Sequence, residues 1–178
     1  MTAKQDARQL ARGVKVLVLD VDGVLTDGGL YYDYKGNVSK RFNVQDGLGI
    51  KLAQAAGLEI AVITGLKSKA VEKRVQELGI TEYHAGHLAK VPLLDSIRDA
   101  RGLGYEHMAY LGDDWVDASP MAVVGLPMAV SNAQPEILDL AAWVSTLPGG
   151  HGAVREAIGF ILEQQGKRAP LWQQWRDR

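Results

Sequence analysis

Two carboxylates one residue apart, Asp20 and Asp22, follow the apolar run Val16-Leu17-Val18-Leu19 and open a turn at Gly23. A continuous apolar run reads as a strand buried on both faces of a parallel sheet. Strand side chains alternate, so Asp20 and Asp22 leave on one face and can serve one site. Open α/β sheets bind ligands at the carboxyl ends of their strands. Gly23 lets the backbone turn sharply and come close to a ligand there. A carboxylate nucleophile needs partners, and three follow in order: Thr64-Gly65 after the apolar stretch Leu58 to Ile63, Lys90 ahead of a helix beginning near Pro92, and Gly112-Asp113-Asp114 after Met108 to Leu111, with Asp117 three residues on. Taken singly, Thr64 is a turn residue, Lys90 a solvated side chain and Asp113-Asp114 a helix cap. Taken as an ordered set at successive strand ends, they read as one site.

In order and spacing these residues resemble the four motifs of the haloacid dehalogenase-superfamily phosphatases. The resemblance implies phosphoryl transfer, which is mostly positioning and charge neutralisation. In that reading Asp20 attacks phosphorus to form an aspartyl-phosphate. Mg²⁺ is held by the Asp20 carboxylate, the Asp22 main-chain carbonyl and Asp113, with Asp114 orienting from nearby. The Asp22 side chain is left free to protonate the leaving alkoxide and then to activate water. Thr64 and Lys90 hold the non-bridging phosphate oxygens.

The resemblance narrows along Asp-Val-Asp-Gly-Val-Leu-Thr-Asp-Gly, Phe-Asn-Val-Gln-Asp-Gly-Leu-Gly-Ile-Lys, Gly-Asp-Asp-Trp-Val-Asp and Gly-Gly-His-Gly-Ala-Val-Arg-Glu. From about Val14 to Gly166 these stretches resemble a capless subfamily, the 3-deoxy-D-manno-octulosonate 8-phosphate phosphatases, which supply the sugar acid of the lipopolysaccharide inner core. The likeness implies substrate contacts from Asp22, Asn43, Val44, Gln45, Asp46, Gly47, Lys51, Thr64, Gly65, Arg74 and Lys90. A cation such as Arg74 suits a substrate that carries a carboxylate besides its phosphate. One position departs: Leu66 stands where the subfamily has Arg, and leucine does not replace a forked cation. A relative acting on nonulosonate 9-phosphates has Glu at that position, which Leu66 does not match either, so the alternative is a phosphatase for such a 9-phosphate or another sugar acid phosphate. Two other classes compete. A phospho-accepting receiver domain places its acidic pair after the first strand, the reverse of the order here. An inactive binding module on the same fold has no need of intact Asp20, Asp22, Thr64, Lys90 and Asp113.

These residues must be positioned by alternating strands and helices, which predict a three-layer α/β/α Rossmann-like sandwich around a parallel sheet. Helices are expected over Leu48 to Ala56, Ser68 to Leu78, Pro92 to Arg101, Asp117 to Val124, Pro135 to Leu140 and Gly152 to Gln165. Later strands are expected over Tyr83 to Ala85, Met108 to Leu111, Pro127 to Val130 and Trp143 to Ser145. One stretch breaks the alternation: residues 28–43 read as a β-hairpin turning at Lys35-Gly36-Asn37. A hairpin is not stable alone, and Tyr31, Tyr32, Tyr34 and Phe42 give this one an aromatic load. It either folds flat over its own domain or enters a subunit interface. The second is the expectation, since the subfamily resemblance implies a homotetramer in which neighbours serve as caps. Pro148-Gly149-Gly150-His151-Gly152 reads as a loop ahead of a helix, and residues 167–178 as an unstructured tail.

Composition bounds the rest. A chain of 178 residues is expected to form a single domain. Its 20 basic and 21 acidic residues give no electrostatic footprint for nucleic acid. The absence of cysteine excludes disulfides, thiolate metal sites and a cysteine nucleophile. No apolar stretch is long enough to span a bilayer, and the opening residues lead into no signal-type segment, so no membrane association and a cytoplasmic location are expected.

Overall fold

The computed structural model describes residues 6–177. Residues 1–5, on which the reading of the opening segment partly rests, and residue 178 lie outside them. Six strands form one all-parallel sheet: β1 (Val16–Leu19), β4 (Glu59–Thr64), β5 (Glu82–Ala85), β6 (Met108–Gly112), β7 (Leu126–Ala129) and β8 (Trp143–Val144). Their spatial order is β5-β4-β1-β6-β7-β8. The chain therefore winds outward one way from β1, then returns to β1's other side at β6. The crevice between β1 and β6 is the switch point at which such sheets bind ligands. β1 and β6 are buried along their whole length, as their apolar sequences require.

Helices cover both faces, as the alternation predicts. α1 (Ala7–Arg12), α2 (Val44–Ala55), α3 (Lys69–Leu78) and α7 (Ala153–Gln164) pack together, and α4 (Val91–Asp99), α5 (Ala118–Val123) and α6 (Pro135–Leu140) pack together. The residues 28–43 form the expected hairpin, β2 (Tyr31–Tyr32) against β3 (Val38–Ser39), with Gly36 at φ 78° in its turn. Its stem closes at an antiparallel bridge between Thr26 and Phe42.

Three expectations need correction. The N-terminal helix α1 was not foreseen; Asp6 caps it by accepting the Arg8 N–H. α2 begins four residues earlier than the Leu48 expected, because Asn43 is its N-cap and accepts the Gln45 N–H at 2.7 Å. Gly47 falls in the added first turn despite its low helix propensity, with Arg74 packed over it. Finally, the tail is not unstructured: Arg168–Arg176 form α8. Gly166 at φ 68° ends α7 and lets the chain turn, Pro170 falls in the first turn where its missing N–H costs nothing, and Leu171 packs on the core.

One clamp sets the mouth of the sheet. The N-cap of α7 is Gly152, which has no side chain to satisfy the first amides. Asp46, on α2 and 1% exposed, does so instead, accepting from Gly152 N at 3.2 Å and Arg155 N at 2.8 Å. Asp46→Ala strands these buried donors and should cost about 1–3 kcal/mol, read as a lower urea midpoint with an unchanged slope.

Candidate active site

At the β1/β6 switch point one ammonium holds the site together. The Lys90 side chain, at the N-terminus of α4, is fully buried. Its Nζ donates to Asp20 Oδ1 at 2.6 Å, Asp117 Oδ1 at 2.6 Å and the Tyr110 hydroxyl at 2.9 Å. The three protons of the ammonium are thereby spent. The Tyr110 hydroxyl donates its own hydrogen bond to Asp117 Oδ1 at 2.7 Å, and Asp117 Oδ2 accepts from the amides of Asp113 and Asp114 at 2.9 and 3.3 Å. Asp117 therefore has no free lone pair. It fixes Lys90 on one side and the Asp113 loop on the other, a function that neither its residue type nor its spacing reveals.

Carboxylate oxygens of Asp20, Asp113 and Asp117 lie within 4.8 Å of one another. Burial, followed by the Asp117 charge, raises Asp20 to about 7 despite Lys90 beside it. Burial, followed by Asp20 and Asp117, raises Asp113 to about 8. Burial alone would depress Lys90, but its two carboxylates outweigh it and leave the ammonium above its ordinary value. This all-oxygen, electron-rich set suits a hard divalent cation. With Asp117 saturated and Asp20 Oδ1 turned to Lys90, the oxygens left to take one belong to Asp20 and Asp113. Gly23 permits that geometry twice over: its φ is 93°, and a Cβ there would lie 2.1 Å from Asp113 Oδ2. Asp114, by contrast, is exposed and caps the 3₁₀ turn Trp115–Asp117 through the Trp115 N–H, which is the cap reading of this pair.

The Asp22 side chain is not free. It is ion-paired to Lys40, whose own side chain is 2% exposed. Nothing in the sequence of the hairpin stem distinguishes Lys40 from a solvated lysine. Thr64 ends β4 at 1% exposure, with its Oγ1 accepting from Leu66 N at 3.4 Å. Beyond Gly65, where a Cβ would meet Leu88 at 3.0 Å, Leu66 and Leu88 stand 54% and 69% exposed.

The remaining residues divide. A cavity of about 430 Å³ is lined by Lys40, Phe42, Val44, Ala70, Lys73, Arg74 and Glu77. Arg74 lies over Gly47, where a Cβ would fall 2.2 Å from its Nη2, and that nitrogen reaches the Asn43 carbonyl at 3.5 Å. Asn43, Val44, Gly47 and Arg74 are thus one unit beside Lys40. Lys51 instead donates to the Leu78 carbonyl at 2.7 Å, covering the C-terminus of α3, and the Asp46 carboxylate is committed to α7. Gln45 faces a second cavity of about 940 Å³ beneath α8, which holds none of the site carboxylates.

No family model matches the chain. It is 41% identical over 162 residues to the 3-deoxy-D-manno-octulosonate 8-phosphate phosphatase KdsC of Escherichia coli (strain B / BL21-DE3), covering 91% of this chain and 86% of that one. Its structure matches a HAD superfamily (subfamily III A) hydrolase from Legionella pneumophila with a TM-score of 0.93 at 40% identity, over 97% and 95% of the two chains. It also matches the 3-deoxy-D-manno-octulosonate 8-phosphate phosphatase of Moraxella catarrhalis, crystallised with a magnesium ion, a phosphate ion and a KDO molecule, with a TM-score of 0.92 at 34% identity over 95% and 97%. With identity of this order over most of both chains, and with the β1/β6 carboxylates on the same fold, the chain belongs to the 3-deoxy-D-manno-octulosonate 8-phosphate phosphatase family of the haloacid dehalogenase superfamily.

Proposed function

We propose that this chain is a Mg²⁺-dependent phosphatase that hydrolyses 3-deoxy-D-manno-octulosonate 8-phosphate to the free sugar acid and phosphate. One observation carries the reading: Asp20, at the end of β1, is held 2.6 Å from the buried Lys90 ammonium and beside Asp113. Asp20, Asp113 and the Asp22 main-chain carbonyl are the groups to hold Mg²⁺, with Asp114 outside them, and the ion when bound supplies the positive charge that lets one anion approach another. Asp20 attacks phosphorus, and the bond to the sugar oxygen breaks as Asp22 gives that oxygen a proton. Asp22 then takes a proton from water, which attacks the aspartyl-phosphate and releases Asp20. Lys90 neutralises Asp20 throughout, and Thr64 closes the phosphate pocket. Arg74, over Gly47 in the cavity beside Lys40, meets the substrate carboxylate.

The site is open. Tyr31, Tyr32 and Tyr34 of the hairpin are 51%, 66% and 91% exposed, and Leu66, Leu88 and Trp115 also face solvent. An apolar surface of this kind beside an uncapped site supports assembly into a homotetramer whose neighbouring subunits shield it. Among the described residues no helix is long and apolar enough to cross a membrane, and the proposed work is on a soluble metabolite in the cytoplasm. Light scattering at micromolar concentration should return four times the 19.3 kDa chain mass; a monomer would remove this account of closure.

Asp20→Asn should abolish Mg²⁺-dependent turnover with the fold intact, and Asp22→Asn should slow both steps. In a panel of sugar-acid phosphates compared by kcat/KM, the eight-carbon 8-phosphate should be the best substrate. Preference for a nonulosonate 9-phosphate, or for esters without a sugar acid, would leave only the phosphatase reading.

The raised carboxylates at Asp20 and Asp113 give a further test. A folded-state pKa above the unfolded value stabilises the protein at low pH and loses that stabilisation as pH rises through it. The lowered groups Asp27, Asp33, Glu82, Glu136 and Glu156 act oppositely, but their gains are complete once pH passes the ordinary carboxylate range. Chelator-treated protein should therefore lose stability between about pH 5.5 and 8, measured by urea unfolding. Millimolar Mg²⁺ should reverse the loss, most at the upper end, because binding needs the deprotonated carboxylates.

A further inference from the structure

Lys40 is the one lysine of the hairpin stem that does not reach solvent. It lies two residues before Phe42, which packs on the core and bridges to Thr26, so the extended stem turns both side chains inward. Arg41, between them, points the other way, to the Gly150 carbonyl at 3.1 Å and to Asp27 at 3.7 Å. Burying an ammonium is costly unless it is paired. Among the described residues the one hydrogen-bonding partner of the Lys40 ammonium is Asp22 Oδ1. The side chain of Asp22 is itself 29% exposed, so it alone did not require a buried cation. The pair also borders a cavity: Lys40 lines the space that holds Phe42, Val44, Lys73 and Arg74.

We propose that Lys40 is a positioning residue for Asp22. By pinning Oδ1 it fixes the rotation of the carboxylate and presents Oδ2 to the oxygen of the leaving group. The hairpin thereby reaches into the chemistry from outside the strand ends, and its docking sets how well the acid is aimed. This inference rests on the phosphatase reading, and it deepens that reading by adding a residue that acts through Asp22 rather than on phosphate.

The test uses two esters that differ in their need for an acid. A sugar alkoxide leaves slowly without a proton, whereas p-nitrophenolate leaves without one. kcat/KM covers steps only up to loss of the alcohol, so it omits the later hydrolysis that both esters share. Lys40→Met and Lys40→Gln should lower kcat/KM for 3-deoxy-D-manno-octulosonate 8-phosphate about 10- to 100-fold, a fraction of the ~10²- to 10⁴-fold that a general acid contributes. The loss on p-nitrophenyl phosphate should be at least about tenfold smaller. In an Asp22→Asn background the same Lys40 changes should no longer move the ratio between the esters, since the group they act through is gone. Lys35→Ala, in the exposed turn of the same hairpin and away from Asp22, serves as control and should leave the ratio between the esters unchanged. Equal losses on the two esters in the Lys40 variants, or a ratio that moves as much without Asp22 as with it, would overturn the proposal. Wild-type failure on the octulosonate ester with cleavage of p-nitrophenyl phosphate would instead retire the substrate reading, and the ratio would then be taken with an alkyl phosphate that is cleaved.

Discussion

Three carboxylates crowd a nearly dry crevice between β1 and β6, and the rest of the site follows from making that crowd tolerable. One ammonium faces three acids, so negative charge remains after Lys90 has been satisfied. Burial first, and this excess charge after it, raise the proton affinity of Asp20 and Asp113. A proton on Asp20 relieves the repulsion but disables the proposed nucleophile, and a proton on Asp113 occupies an oxygen that a cation would need. A hard cation relieves the repulsion and leaves the nucleophile charged. Metal binding and proton binding thus compete for the same oxygens, and metal is the form that can react. Removing one acid would lessen the repulsion, but Asp117 is not dispensable: it holds Lys90, Tyr110 and the amides of the Asp113 loop together.

Bringing so many groups together demands backbone where side chains would collide. A Cβ at Gly112 would fall 2.5 Å from that of Asp117, and one at Gly149 would fall 1.6 Å from the Gly23 carbonyl oxygen. The loop through Pro148 and Gly149 therefore presses directly on the turn that carries Asp22. It is held there by Asn132, which accepts the Gly149 N–H at 3.0 Å, and by the Gly150 N–H bonded to the Val24 carbonyl at 2.9 Å. The Asp46 clamp on α7 fixes the other end of that loop. Asp46 and Lys51, which the family resemblance assigns to substrate, serve this frame in the structure, the first as a cap and the second on the C-terminus of α3.

What the sequence disclosed follows the range of the interactions involved. The sheet was legible because β1, β4 and β6 are apolar runs with turns at their ends, and the placement of Asp20, Thr64 and Asp113 at those ends came with it. Asn43 as a cap and α8 as a helix are local features, the first obscured by the assignment of Asn43 to a substrate loop and the second by its terminal position. Lys40, Asp117 and Tyr110 were of a different kind. Lys40 lies 18 residues from Asp22, and Lys90 lies 27 from Asp117 and 20 from Tyr110. A lysine, an aspartate or a tyrosine in those places is ordinary by composition. Only the fold removes it from water and makes its pairing obligatory.

In the proposed reading the two ends of the substrate meet different dielectric environments. At the phosphate end Asp20, Thr64 and Lys90 are all but excluded from solvent. There, opposite charges about 4 Å apart interact by roughly 4 kcal/mol at an effective dielectric near 20, against ~1 in bulk water. At the sugar-acid end Arg74 is partly exposed and already shared with Glu77 at 3.6 Å and the Asn43 carbonyl, and position 66 holds an exposed leucine rather than a second cation. Contacts there are screened and cost little to exchange. Chemistry and selectivity thus sit on unequal foundations: changing a buried charge disrupts the whole network, whereas changing the rim alters which acid is preferred. An open rim of this sort gains discrimination chiefly by being dried, and a neighbouring subunit laid over the exposed hairpin tyrosines and leucines would dry it without altering a residue of the catalytic crevice.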